Sequence, residues 1–109
     1  MEAAAKDQVA GMEMYLRVLR RENETLVAAC DKEVLGKTFS EGDLEIKVDK
    51  GFYCGELREV KELSCALSEA SMANLTGNNV VDYAVKQGYI DKENVVCIGG
   101  IKHAQFVMI

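Results

Sequence analysis

Residues 58–77 read REVKELSCALSEASMANLTG. Val60, Leu63, Leu67, Ala70 and Asn74 recur there at spacings of three and four. That period aligns side chains on one face of an α-helix. Lys61, Glu62, Ser68 and Glu69 fall mostly on the opposite face, as in a helix with an inside and an outside. Gly77 supplies a stop, because glycine adopts the left-handed conformation that ends many helices. The expectation is one amphipathic helix from about Arg58 to Gly77, lying on a sheet that covers its apolar stripe. Asn74 is a polar residue on that stripe and is the first candidate for a special role.

Working outward, the segment before the helix holds the strands. Met14, Leu16 and Val18 alternate with Tyr15 and Arg17, the pattern of a half-buried strand. Arg21-Glu22-Asn23-Glu24 is a polar break, and Thr25 to Cys30 is a second, mostly apolar strand. The pair reads as an antiparallel hairpin. Asp31 is placed to cap a single helical turn that Gly36 ends. Leu44, Ile46 and Val48 alternate with charged residues in a third strand, and KGFYCGE (50–56) reads as a packed loop. After Gly77, Asn78 or Asn79 caps a second helix whose buried face is Val80, Val81, Ala84 and Val85, and Gly88 ends it. Val95 to Ile98 and His103 to Ile109 are the last two strands. The expected domain is α+β over residues 14–109. It is a mainly antiparallel sheet, in the order β-β-β-α-α-β-β, with two helices packed on one face. Residues 1–13 are expected to be a loose N-terminal extension.

Composition bounds the function. A chain of 109 residues with 49% hydrophobic and 28% charged residues has the make-up of one globular domain. The net charge of −5 argues against phosphate binding over the whole surface, which needs a basic domain, but leaves room for a local basic patch. The four cysteines form no C-x-x-C pair, so no zinc or dithiol motif is present, and they read as buried free thiols. No metal or other cofactor is implied. No apolar run approaches the roughly 20 residues of a membrane span, and no signal peptide is visible, so the expected location is cytoplasmic.

Candidate chemistry is sparse. His103, the chain's one histidine, follows the flexible pair Gly99-Gly100. It is a weak candidate for a general base, with Cys30 or Cys97 as partner only if the fold brings them close; a structural or partner-contacting role suits it better. Gly99-Gly100 fits an anion cradle or, more simply, a two-residue hairpin turn. Neither a P-loop nor a dinucleotide fingerprint occurs. A buried Asn74 needs hydrogen-bond partners, which favours a structural cross-brace. Arg17, Arg20, Arg21, Lys32, Lys37 and Lys102 would make an RNA-sized basic patch if they converged, and scattered soluble cations if they did not.

Taken together, several pieces resemble a known family. Met14-Tyr15-Leu16, Leu26 to Cys30, Leu35-Gly36-Lys37-Thr38-Phe39, Ala73-Asn74-Leu75-Thr76-Gly77, Ile98-Gly99-Gly100 and His103-Ala104-Gln105 follow the order and spacing of the uncharacterised archaeal domain-of-unknown-function family numbered 424. The resemblance spans about Met14 to Ile109, and Lys102 departs from a proline associated with its position. It implies an archaeal cytoplasmic protein and transfers no catalytic residue. It marks Asn74, Gly77, Gly99, Gly100, His103 and Gln105 as contact positions for a ligand or partner. The leading expectation is a non-enzymatic binding module of an informational pathway, contacting RNA or a translation-related complex. The alternatives are a small enzyme or metabolite-binding protein using His103, and a homodimer formed along an exposed strand edge.

Overall fold

A computed structural model describes residues 11–108. The strands are β1 (Glu13–Arg21), β2 (Glu24–Asp31), β3 (Thr38–Glu41), β4 (Leu44–Lys47), β5 (Glu56–Glu59), β6 (Met72–Thr76), β7 (Val96–Ile98) and β8 (Ile101–Val107). The α-helices are α1 (Lys50–Tyr53), α2 (Leu63–Leu67) and α3 (Asn78–Lys86), and 3₁₀ turns occupy Lys32–Val34, Val60–Glu62 and Lys92–Asn94. Six strands form one sheet in the order β5-β1-β2-β6-β8-β7, while β3 and β4 form a separate hairpin. The sheet is antiparallel except between β2 and β6.

The hairpin read at the start of the chain forms in a single uninterrupted register, from Met14 opposite Asp31 to Arg21 opposite Glu24. The long helix expected over 58–77 does not form. Its first residues close strand β5, its middle is the short α2, and its end is β6, in the interior of the sheet. Both periods were present in that stretch. Leu63 and Leu67 are helix-spaced and buried, but Ala73 and Leu75 alternate with Asn74 and Thr76 and are buried strand-fashion. Pairing decides between them. The Ser68 hydroxyl donates to the Cys65 carbonyl at 2.7 Å, and beyond it Ser71 bonds to Thr25 through both its backbone N–H and its side chain. These bonds deliver residues 72–76 to the open side of β2 in parallel register. The expected element order is corrected accordingly: Gly77 joins a strand to a helix rather than two helices, and KGFYCGE contains α1 and the start of β5 rather than a loop.

Period-two alternation gives the sheet two faces. Met14, Val27, Ala29, Ala73, Leu75 and Ala104 share one apolar cluster with Leu63 and Leu67 of α2 and with Val80, Val81 and Ala84 of α3. Ala28, Cys30 and Tyr15 project to the opposite face and pack with Val34 of the first 3₁₀ turn and with Phe39, Val48, Phe52 and Tyr53 from the β3–β4 region and α1. The expected third strand is therefore a hairpin arm, with Val48 buried and Leu44 exposed at its far end. Of the expected loose extension over 1–13, residues 1–10 lie outside the described residues. Met12 accepts a backbone bond from Val60 at 2.9 Å, and Glu13 begins β1. No described helix is long and apolar enough to cross a membrane.

Candidate functional site

Strand register places three of the expected contact residues together. On the face away from α2 and α3, three rows of side chains cross the sheet. The first is Tyr15, Cys30, Thr76 and His103. The second is Arg17, Ala28, Asn74 and Gln105, and the third is Leu19, Leu26, Met72 and Val107. The β3–β4 hairpin and α1 pack over the first row. Beyond it the sheet opens: Asn74 is half-buried, and Gln105, Leu19 and Val107 are exposed.

The covered row carries a polar chain. The Tyr53 hydroxyl lies 3.0 Å from the Thr76 hydroxyl, and Thr76 Oγ1 lies 2.8 Å from His103 Nδ1. Burial pushes the Tyr53 hydroxyl up from its ordinary pKa, which the bond to Thr76 opposes. Burial lowers the pKa of His103, against a smaller upward pull from a hydrogen bond to Gln105. His103 is thus a half-buried ring whose burial disfavours its charged form, bonded to Thr76 at Nδ1 and to the Gln105 side chain. The thiols considered as its partners are not set up to attack anything beside it. Cys97 pairs with Lys102 in register, on the opposite side of the sheet from His103. Cys30 shares the row but is fully buried, and burial followed by the charge of Asp31 raises its thiol to about 12. The reading of buried thiols holds for Cys30 alone, since Cys54, Cys65 and Cys97 are exposed.

The three glycines shape turns. Gly77, at φ +124° and ψ 145°, swings the chain from β6 into α3. A glycine turn between strand and helix offers a site for an anion at the helix N-terminus. Here Asp31 occupies it: its two carboxylate oxygens accept from Asn79 N and Val80 N at 2.9 Å each. Asp31 was expected to cap the turn that follows it, where it makes no side-chain cap bond. Burial raises the Asp31 pKa, and the two N–H bonds partly offset that rise. Gly99 and Gly100, at φ +58° and +83°, form the two-residue hairpin between β7 and β8. The Gly99 N–H donates to Glu41 Oε1 at 2.9 Å, so a carboxylate also fills this would-be anion cradle. Asn78 braces both turns, accepting from Lys102 N at 2.9 Å and donating to the Gly100 carbonyl at 3.3 Å.

The cations do not gather on one surface. Arg17 and Arg21 project to the open face, while Arg20 alternates to the other, where it pairs with Glu69 at 3.1 Å. The Arg17 guanidinium donates to the Gly51 carbonyl. Lys32 pairs with Glu13, and Lys102 points toward α3 and pairs with Asp82. Lys37 lies between the first 3₁₀ turn and β3. Among the described residues no cluster of three His, Cys, Asp or Glu side chains is arranged to hold a metal ion. Sequence reasoning gave Tyr53 and Thr76 no site role and assigned Asp31 as a cap to the wrong turn. The alternation of MANLT was a signal for Thr76. Local sequence marked Asp31 only as a cap for the turn that follows it; its role at α3 depends on β2 lying beside β6.

Comparison with known proteins adds family and fold. The family model described as "Protein of unknown function (DUF424)" matches residues 19–109. No curated protein matches the chain. The crystal structure of an uncharacterized conserved protein from Methanopyrus kandleri superposes with a TM-score of 0.70 at 20% identity, covering 86% of this chain and 90% of that one. At that identity the likeness is one of fold.

Proposed function

The chain belongs to DUF424, a family of proteins of unknown function, and for this member we propose a non-enzymatic binding role in which the uncovered half of the sheet docks a protein partner. The observation that carries this reading is the third cross-strand row. Leu19, Leu26, Met72 and Val107 come from four adjacent strands and form an apolar band with, among the described residues, no hairpin or helix packed over it. Leu19 is 41% and Val107 62% exposed. Aliphatic and methionine side chains on a rigid sheet suit a protein surface, with the Asn74 and Gln105 amides beside them as polar contacts. Single-stranded RNA is usually held by aromatic stacking platforms. The open rows hold no aromatic residue, and the cations expected to track a phosphate backbone are divided between faces. The archaeal, cytoplasmic setting and the translation-related complex read from the sequence belong to the same proposal, with a protein component of such a complex as the partner.

The test is capture from native lysate by the tagged chain and by a Met72→Lys/Val107→Lys variant, with and without RNase. The variant's fold is checked by circular dichroism. Proteins retained through RNase by the wild type and lost by the variant are expected. Partners that vanish with RNase would replace this reading with RNA contact. Partners held equally by the variant would remove the sheet face from the proposal.

A further inference from the structure

The edge of the sheet beside this face is half bare. β5 has four residues against nine in β1 and pairs only with Glu13 to Leu16. Among the described residues nothing pairs with the outer side of Arg17 to Arg21. Five residues span about 16 Å, an ordinary strand length. The edge lacks two of the usual protections, since the register with β2 runs through it without a bulge and the chain has no proline; its arginines are what guard it. The Leu16 carbonyl points outward toward Gly55, so the period of two aims the backbone groups of Val18 and Arg20 outward as well.

Clefts flank this edge on both faces. One of about 350 Å³ lies on the α2 side, with Leu16, Val18 and Ala66 among its lining residues and Arg20 and Glu69 at hand. Another of about 280 Å³ lies on the open face, lined by Leu19, Arg21, Glu24, Leu26 and Met72. An added strand sends alternate side chains to opposite faces, so it would meet both. We infer that the bare half of β1 is a strand-addition site for an extended segment of a partner protein that carries acidic residues opposite Arg17 and Arg21 and apolar residues opposite Val18 and Leu19.

Charge selects this occupant. Three of the five edge residues are arginines, on a protein whose net charge is −5. A second copy pairing antiparallel along the whole bare edge, centred on Leu19, sets Arg17 opposite Arg21 at both ends. Like charges directly opposite destabilise a strand pair. On the α2 side, Arg20 is already balanced by Glu69, and Arg58 by Glu56 and Glu62, so that cleft calls for an apolar side chain rather than a carboxylate. The recognition pattern along the segment is acidic, apolar, apolar, any residue, acidic. This inference deepens the binding role proposed above by adding the sheet edge to the docking surface.

The experiment is titration of the full chain with a capped peptide of sequence Ser-Gly-Asp-Val-Ile-Thr-Asp-Gly-Ser, followed by amide NMR and fluorescence anisotropy. Binding that shifts the Arg17 to Arg21 amides is expected. Replacing both peptide aspartates by lysine, or introducing Arg21→Glu in the protein, should each weaken it at least about tenfold. Methylating the peptide backbone nitrogens on the edge-facing side should abolish it. No binding at millimolar peptide, or binding indifferent to methylation or to charge, overturns the inference. A dimer by sedimentation whose β1 amides are protected from exchange assigns the edge to a second copy and overturns it too. Because Val107 lines neither cleft, a Val107→Lys variant that loses the captured partner but retains peptide binding separates failure of the sheet-face reading from failure of the edge reading.

Discussion

Replacing Gly77 by alanine should be among the most damaging small changes available to this chain. Gly77 sits at φ +124° and ψ 145°, a region open essentially to glycine, and forcing another residue there costs about 1–3 kcal/mol. Space is the second difficulty. A Cβ on Gly77 would overlap the Asp31 carboxylate, its distance to Oδ1 being 2.7 Å and to the Asp31 Cβ 2.8 Å. Relief requires Asp31 to move, which breaks its bonds to Asn79 N and Val80 N; loss of such a cap costs about 1–2 kcal/mol. Together the two effects come to about 2–5 kcal/mol, or about 10–30 °C in Tm for a domain of this size. Gly100→Ala is the control: its φ is +83° but nothing lies within 4 Å of a Cβ there, so only the conformational cost of about 1–2 kcal/mol remains. Urea denaturation of these two variants, of Asp31→Ala and of the Asp31→Ala, Gly77→Ala double mutant measures all the parts. The double mutant should fall short of the sum of its singles, since both damage the same cap. A Gly77→Ala variant no less stable than Gly100→Ala, or strict additivity in the cycle, would refute the reasoning.

Two further outcomes follow from the burial of titratable groups. His103 has a pKa lowered by burial, so between that lowered value and the unfolded value of about 6.5 the unfolded chain binds more protons than the folded one. Its contribution to stability is therefore complete above about pH 6.5 and is lost as pH falls through that window. Asp31, with a raised pKa, acts in the opposite sense at lower pH. Urea midpoints measured from pH 7.5 to 5 should converge between wild type and His103→Asn as pH falls, and a constant gap would contradict the assignment. Thiol titration with a disulfide reagent should find three fast groups, Cys54, Cys65 and Cys97, and one, Cys30, that reacts only on unfolding. Four equal rates would disprove the burial of Cys30.

Local sequence alone determined the elements whose signals had no competitor. The β1–β2 hairpin was legible because two alternating runs flank a short polar break. The same holds for α3 between Gly77 and Gly88 and for the Gly99-Gly100 turn, where two successive positive φ angles call for glycine. The resemblance to the family was legible too, since the ordered pieces from Ala73 to Gln105 fall within the matched residues. Only the tertiary structure decided residues 68–77. Helical and strand periods coexist there, and the parallel partner that selects the strand lies some 45 residues earlier in the chain. The same long-range step carried the candidate site. Asn74 and Gln105 become neighbours, and Thr76 meets His103, only once β6 lies against β8. Asp31 becomes the cap of α3 only once β2 lies against β6. A sequence states which residues are apolar and which are charged, but it does not state which strand lies beside which. Here that adjacency put Asn74 and Gln105 on one open face, left His103 under the β3–β4 hairpin, and divided a set of expected basic residues between two faces.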